Sequence, residues 1–306
     1  MLVDRIRRVY EEITKVERVA AQFPDDIYIQ ANLNSLRYDA QELEHEWAEE
    51  TRLAQKEVCR YRMIPSYIGQ YSIRAVTQSL LDFQELFSQI YDAIKNGAKK
   101  QARLAAEMVE QTKFNLAFTY PGSLGVAMSV DSTPDLFNGP FDEAIDAVMQ
   151  VVDAQDEHDV RDMAKALGEA VVKRAYDWAR INSYANYAVD LDWTTLKGTR
   201  KGGMIDVTAF SRLVSVIDHT SDSIIKPIKV RGVLVGLDSR TKRFRFVDPD
   251  GDDYAGPLSE IFPAGAVWQV NETYIADIEV EETVEYATDA TRHINRLKHL
   301  EPAPKS

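Results

Sequence analysis

The chain has 306 residues, of which 45% are hydrophobic and 28% are charged, and its formal net charge is −13. A chain of this length and composition buries enough apolar surface for two folded domains, which excludes disorder as its overall state. The negative charge argues against non-specific binding of the whole molecule to nucleic acid or to an anionic membrane.

The single cysteine, Cys59, limits the chemistry of the chain. It excludes a disulfide within the chain and a four-thiolate metal site, and it indicates a reducing compartment. No run of residues reaches the roughly 18 apolar positions of a membrane span. The N-terminal segment lacks the apolar core of a secretory signal. We therefore expect a cytoplasmic protein without membrane contact.

Residues 1–57 predict an antiparallel helical hairpin. Apolar residues recur at alternating spacings of four and three over residues 2–20 and again over residues 29–47. Pro24 ends the first helix, and the acidic pair that follows it caps the second. Two interpretations stay open: the seam packs on the rest of the chain, or it forms a coiled coil with a second molecule. The assembly candidates are Leu36, Leu43 and Trp47.

Residues 58–225 predict a central α+β domain. A strand over 58–64 precedes an amphipathic helix over 73–94, and alternation over 114–130 predicts a β-hairpin whose turn contains Gly122. A helix over 141–152 and a longer one from about Asp156 to about Asn186 follow. The pattern ends with a strand over 189–193 and a helix over about 207–218.

Residues 226–301 predict a small C-terminal β-barrel, followed by a short tail over residues 302–306. The apolar phase changes at Gly232, which indicates a β-bulge that bends a strand. Four or five short strands in about 75 residues are typical of SH3-like or OB-like barrels, and the pattern does not choose between the two. The fold class of the whole chain is α+β.

Charge is distributed unevenly near this barrel. Residues 197–245 hold eleven Lys and Arg against four Asp, whereas residues 246–285 hold eleven acids and no base. OB-type barrels bind single-stranded nucleic acid by tracking phosphates with cations and stacking bases on aromatic rings. Phe244 and Phe246, however, alternate with arginines and so fall on the opposite face. The candidate nucleic-acid or anion-binding residues are Lys197, Arg200, Lys201, Lys226, Lys229, Arg231, Arg240, Lys242, Arg243 and Arg245.

Two other interpretations of this basic block stay open. Opposite charges on neighbouring strands stabilise a sheet, so the cations are also explained by internal pairing with the acidic block. The block is also a possible docking surface for an acidic protein.

Motifs for catalysis or cofactor binding are missing from the sequence. It contains neither phosphate-loop pattern, no G-x-S-x-G elbow and no H-E-x-x-H, and its five histidines lack metal-ligand spacing. We expect no metal and no cofactor, and a buried, structural Cys59. The acids of the central region leave a hydrolase open. Examples are Asp131, Asp135, Asp142 and Glu143.

The sequence therefore favours a non-enzymatic function and leaves catalysis undecided. The first hypothesis is a protein-interaction or assembly module, a subunit or accessory protein of a larger complex, with a protein partner or a second copy of itself. The alternatives are a nucleic-acid-binding or sensing component that uses residues 197–245, and a hydrolase in the central domain.

Overall fold

A computed structural model of the chain describes residues 2–67, 71–121, 123–132, 139–263, 267–288 and 290–304. The predicted turn residue Gly122 and the candidate acid Asp135 lie outside these residues. The α+β class is confirmed, since the described residues form eight helices and two antiparallel sheets. The chain divides into two compact units, Met1–His219 and Thr220–Ser306.

The helical hairpin opens the first unit. It consists of α1 (Leu2–Gln22) and α2 (Ile27–Leu53). Asp26 caps α2, because its side chain accepts hydrogen bonds from the backbone N–H groups of Tyr28 and Ile29. The distal part of the seam buries Ile13, Ala20, Leu33 and Ala40 between the two helices.

The other end of the hairpin packs on a sheet of the same unit. Leu43 and Trp47 contact Val58 and Phe118, and the rings of Trp47 and Phe118 meet edge to face at 5.0 Å between centroids. The hairpin and the central region, predicted as separate domains with a boundary at residue 57, thus form one unit. The same apolar stripe that closes the hairpin also covers one face of the sheet.

The sheet of the first unit has five strands in the order β2-β3-β1-β4-β5, and each neighbouring pair is antiparallel. The predicted β-hairpin corresponds to β2 and β3. Alternate residues of a strand point to opposite faces. Val58 faces the hairpin, while Tyr61 faces the helices and lies 5.0 Å from Phe83 between ring centroids. The strands are β1 (Lys56–Pro65), β2 (Asn115–Tyr120), β3 (Leu124–Asp131), β4 (Tyr187–Thr194) and β5 (Arg200–Ile205).

Helices pack on the second face of this sheet. Trp178 is fully buried there, with its ring 5.6 Å from that of Phe83 and 5.0 Å from that of Phe210. The helices are α3 (Ile73–Asn96), α4 (Ala106–Gln111), α5 (Pro140–Val152), α6 (Glu157–Leu167), α7 (Glu169–Ala185) and α8 (Val207–His219).

The long helix predicted from Asp156 to Asn186 is in fact two helices, α6 and α7. The break falls at Gly168, whose φ is +97°, in the region that favours glycine. A Cβ atom at this position would lie 2.4 Å from the backbone nitrogen and oxygen of Lys99. The interruption therefore depends on a neighbouring loop, which the periodicity of the helix does not reveal.

The second unit is a five-stranded antiparallel sheet in the order β10-β9-β6-β7-β8. Its core contains Leu234, Phe246, Ile278 and Leu297. Among the described residues the outer strands are joined only by an isolated bridge between Leu258 and Leu297, so the sheet is not a closed barrel and the predicted barrel is not confirmed. The strands are β6 (Ser221–Asp238), β7 (Arg243–Val247), β8 (Asp253–Pro257), β9 (Thr273–Glu285) and β10 (Ala290–Pro302).

The predicted bulge at Gly232 lies elsewhere. Pairing of β6 with β9 runs without a shift through Gly232, and the register against β7 shifts between Leu234 and Gly236. A phase change at Gly232 would turn Val233 and Val235 inward, but both are exposed, and Leu234 is buried instead. The alternation of apolar residues predicted a strand here correctly, but the position of the irregularity depends on the partner strand.

Candidate functional site

A groove of about 1110 Å³ runs between α3 and α7 of the first unit. The two helices are antiparallel, since Ser79 of α3 bonds to Asn182 of α7 while Glu85 pairs with Arg174. Their apolar sides face the sheet, as the α3 pattern over residues 73–94 predicts. Their polar outer sides leave the groove open to solvent.

A closed set of buried hydrogen bonds links the two helices of the groove to β1. Trp178 Nε1 donates to the Tyr61 hydroxyl at 2.9 Å, Tyr61 to Ser79 Oγ at 2.7 Å, and Ser79 to Asn182 Oδ1 at 2.7 Å. Asn182 Nδ2 completes the ring with the carbonyl oxygen of Trp178 at 2.8 Å. Burial raises the pKa of Tyr61, so its hydroxyl stays protonated and can donate. A fully satisfied network of this kind fixes the helices relative to β1.

Ion pairs neutralise one end of the groove. Arg174 pairs with Glu85 and donates to the backbone oxygen of Ala102 at 3.0 Å. Lys173 pairs with Asp177 one helical turn away, at 2.5 Å. The charged side chains at this end therefore already have partners of opposite sign.

Asp82 lies in the middle of the groove and differs from the acids that form ion pairs. Only 6% of it is exposed, and its carboxylate accepts a hydrogen bond from Gln78 Nε2 at 2.7 Å. No cation forms an ion pair with it among the described residues. Burial, reinforced by the charges of Asp177 and Glu85, raises the pKa of Asp82 to about 6. The groove thus holds a buried carboxylate that titrates close to neutral pH.

The other end of the groove carries a free cation and exposed aromatic rings. The side chain of Arg74, in the first turn of α3, makes neither an ion pair nor a hydrogen bond within the described part of the chain, and it is exposed. Large exposed side chains flank the groove: Tyr67, Leu81 and Tyr184, the last 85% exposed. Opposite signs of charge therefore occur in one groove, at Arg74 and Asp82.

The cations of the basic block, by contrast, fall in both units. Lys197, Arg200 and Lys201 lie on the β4–β5 connection and on β5. Arg200 pairs with Asp192 at 2.5 Å. Lys201 Nζ lies 2.7 Å from Asp146 and 3.2 Å from Asp142 on α5. Arg200 and Lys201 of this glycine-rich segment thus have acidic partners within the unit.

In the second unit, acids of β9 and β8 pair with cations of the neighbouring strands. The bonded pairs are Lys226–Glu282 at 2.9 Å, Lys229–Asp277 at 3.6 Å and Arg245–Asp253 at 2.6 Å, the last as the cross-strand argument predicts. Arg231 also lies on β6. Within the described residues, Arg240, Lys242 and Arg243 are exposed and form no ion pair. Nucleic-acid binding through this block stays a prediction.

The remaining candidates lie away from the groove. Leu43 and Trp47 are buried against the sheet, and Leu36 is half-buried in the hairpin seam, so little of these side chains is accessible to a second molecule. Asp131 pairs with Lys56 at 2.9 Å, Asp142 pairs with Lys201, and Glu143 is exposed on α5.

Sequence reasoning missed Asp82, although a signal was present. The predicted apolar side of α3 contains Phe83, and Ser79, Asp82 and Asp92 interrupt that side with polar groups. Buried polar residues inside an apolar stripe need partners, and here those partners lie on α7 and on neighbouring turns.

Other kinds of site are not found in the described part of the chain. It contains no group of three His, Cys, Asp or Glu residues that could hold a metal ion. Cys59 is buried, and burial raises the pKa of its thiol. None of the described helices combines the length and the apolar character needed to cross a bilayer.

Comparison of this chain with family models, with curated proteins and with solved structures finds no match.

Proposed function

We propose that this protein is a protein-interaction module, a subunit or accessory protein of a larger complex, and that the α3–α7 groove binds a segment of a partner protein. One observation carries the proposal: exposed Tyr67, Leu81 and Tyr184 flank a groove whose walls are fixed by buried hydrogen bonds. Aromatic and large apolar side chains supply most of the energy at protein interfaces.

The size of the groove supports a polypeptide ligand. Its volume of about 1110 Å³ lies near the upper limit of the roughly 300–1,000 Å³ of small-molecule sites, and its length fits a polypeptide segment. The α3 side extends from Arg74 to Glu85, which at 1.5 Å per helical residue is about 17 Å. An extended segment of about five residues spans that length. The groove is thus matched to a short linear segment.

Site-specific photo-crosslinking tests this proposal. The photoreactive amino acid p-benzoylphenylalanine replaces Tyr184, and a matched variant carries it at Leu116, an exposed residue of β2. In lysate of the cells that make the protein, we expect one adduct of defined mass from position 184 and none from position 116. Adding Leu81→Glu should abolish the adduct. Equal labelling from both positions, or none from position 184, would refute groove binding.

Asp82 favours a second candidate function, a hydrolase. A carboxyl group with a pKa of about 6 is suited to general acid–base catalysis, and Asp177 and Glu85 lie near it. The hydrolase hypothesis then depends on Asp82 and not on the four acids that the sequence suggests. Chromogenic esters, phosphates and glycosides are the test substrates. Turnover that Asp82→Asn abolishes would support an enzyme, and absence of turnover with the wild type would favour the interaction module.

We also propose that the second unit is a small, partly open barrel of SH3-like or OB-like form. The approach of β8 to β10 supports this. The N–H of Ser259 donates to the carbonyl oxygen of Leu297 at 2.9 Å, and a Cβ on Gly256 would lie 1.9 Å from the carbonyl oxygen of Asn295. Gly256→Val should therefore speed amide exchange in β10 and leave β6 unchanged. Equal exchange of β10 in Gly256→Val and in the wild type would contradict the barrel.

A cytoplasmic location belongs to the same proposal. Its support is the single cysteine, which lies buried and reduced.

A further inference from the structure

We propose that the groove selects a polypeptide segment with an acidic side chain and a basic side chain about four residues apart, the acid bound by Arg74 and the base by Asp82. This inference rests on the proposed function and names the chemistry of the partner. It follows from Arg74 and Asp82, which line the groove without an ion pair among the described residues. Arg180 also lines the groove, but its guanidinium lies over the Tyr176 ring, 5.6 Å from the centroid.

The spacing is set by α3. Arg74, Gln78 and Asp82 all line the groove at intervals of one turn. Eight residues at a rise of 1.5 Å separate Arg74 from Asp82 by about 12 Å along the helix. An extended chain advances about 3.3 Å per residue, so about four residues of a bound segment cover this distance.

Arg74 and Asp82 each lie where an ion pair with a bound ligand would be strong. Arg74 is exposed, and the N-terminus of α3 adds positive potential at the same end. Asp82 is buried, with a hydrogen bond from Gln78 as its partial compensation. A cation supplied by a ligand would give this carboxylate the ion pair that the described residues do not provide, at a site shielded from water.

The same arrangement disfavours nucleic acid. A polynucleotide presents a phosphate at each step, so a phosphate held by Arg74 would bring the next ones toward Asp82, the carboxylate of the groove that forms no ion pair among the described residues. Like charges at short range repel strongly when partly buried. A polypeptide presents both signs, and its apolar residues between the two charges reach the exposed Leu81 and Tyr184.

The test is selection of random peptides of about twelve residues, displayed on phage, against the purified full-length protein. Wild type, Arg74→Glu and Asp82→Asn are used in parallel. We expect the wild type to enrich peptides with an acid and a base about four positions apart and a large apolar residue between them. Arg74→Glu should lose the preference for the acid, and Asp82→Asn the preference for the base.

The best peptide is then synthesised with a fluorophore and titrated by anisotropy. Loss of one charge-assisted hydrogen bond corresponds to about a tenfold weaker Kd for each variant. Replacing the acid of the peptide by lysine should restore binding to Arg74→Glu, a rescue that damage to the fold would not allow.

Three outcomes overturn the inference. The first is that peptides bind wild type, Arg74→Glu and Asp82→Asn equally but bind Leu81→Glu more weakly. This result would support binding in the groove and refute the charge pattern. The second is that every selected peptide binds all groove variants as tightly as the wild type, which would refute the proposed function as well. Binding of a short oligo(dT) that Arg74→Glu abolishes would refute a polypeptide ligand.

Discussion

Replacing Asp82 by asparagine should stabilise the first unit at neutral pH, although the substitution removes a native hydrogen-bonding carboxylate. The pKa of Asp82 is raised from 3.8 to about 6, so the folded state holds its proton more tightly than the unfolded state does. The protonated form is therefore favoured by folding. Its stabilising effect is complete below pH 3.8 and is lost as pH rises through about 6.

The magnitude follows from the shift. A difference of about two pKa units, at about 1.4 kcal/mol each, lowers the free energy of unfolding by about 3 kcal/mol between pH 4 and pH 7.5. Asparagine does not ionise and keeps the oxygen that accepts from Gln78. Asp82→Asn should thus match the wild type near pH 4 and exceed its stability by as much as about 3 kcal/mol near pH 7.5.

Urea denaturation followed by tryptophan fluorescence measures this difference. The chain has four tryptophans, and only Trp268 lies in the second unit, so a Trp268→Phe background restricts the signal to the first unit. Asp131→Asn is the matched control: its pair with Lys56 is exposed, so this variant should stay within about 1 kcal/mol of the wild type at both pH values. A stability difference between Asp82→Asn and wild type that does not change with pH would refute the reasoning.

Three further substitutions give expected losses of stability, each measured by urea denaturation in the same background. Gly168→Ala should lower the free energy of unfolding by more than about 2 kcal/mol, because the new Cβ would lie 2.4 Å from backbone atoms of Lys99. Gly198→Ala, at φ +77° with open space around it, should lower it by about 1 kcal/mol. Equal costs at the two glycines would contradict the close contact. Lys201→Ala should cost about 1–3 kcal/mol by leaving a buried carboxylate without its partner, and Arg200→Ala, whose pair is exposed, less than about 1 kcal/mol. The reverse order would count against internal charge matching. Tyr61→Phe should cost about 1–3 kcal/mol because it leaves a buried indole N–H without an acceptor; no loss would show that the network contributes nothing to stability.

The groove was not predictable from the sequence, although most of its walls were. The periodicity of residues 73–94 predicted α3, and the pattern over 156–186 predicted a helix that includes α7. What brings them together is a set of contacts between distant residues: Ser79 and Asn182 are 103 positions apart, and Glu85 and Arg174 are 89 apart. Local patterns carry no information on which of several amphipathic helices will lie side by side.

The basic segment over 197–203 also shows that the sequence predicts local features, whereas the fold decides which residues meet. Its cations and glycines predicted either a phosphate-binding loop or a connection. The fold places Arg200 and Lys201 beside Asp192, Asp142 and Asp146, and so it neutralises two charges that look free in the sequence. Their partners come from β4 and α5, and that pairing depends on the order of strands in the sheet.

By itself the sequence determined the α+β class, the helical hairpin with a cap in the acidic pair after Pro24, the β2–β3 pair and the charged strands of the second unit. These features follow from residue periods and turn chemistry that act within a few positions of the chain. Only the tertiary structure decided that the hairpin joins the first unit, that a helix breaks at Gly168, and that Asp82 lies buried opposite α7. Each of these depends on surfaces distant in the chain meeting, where close packing and removal of water decide the outcome.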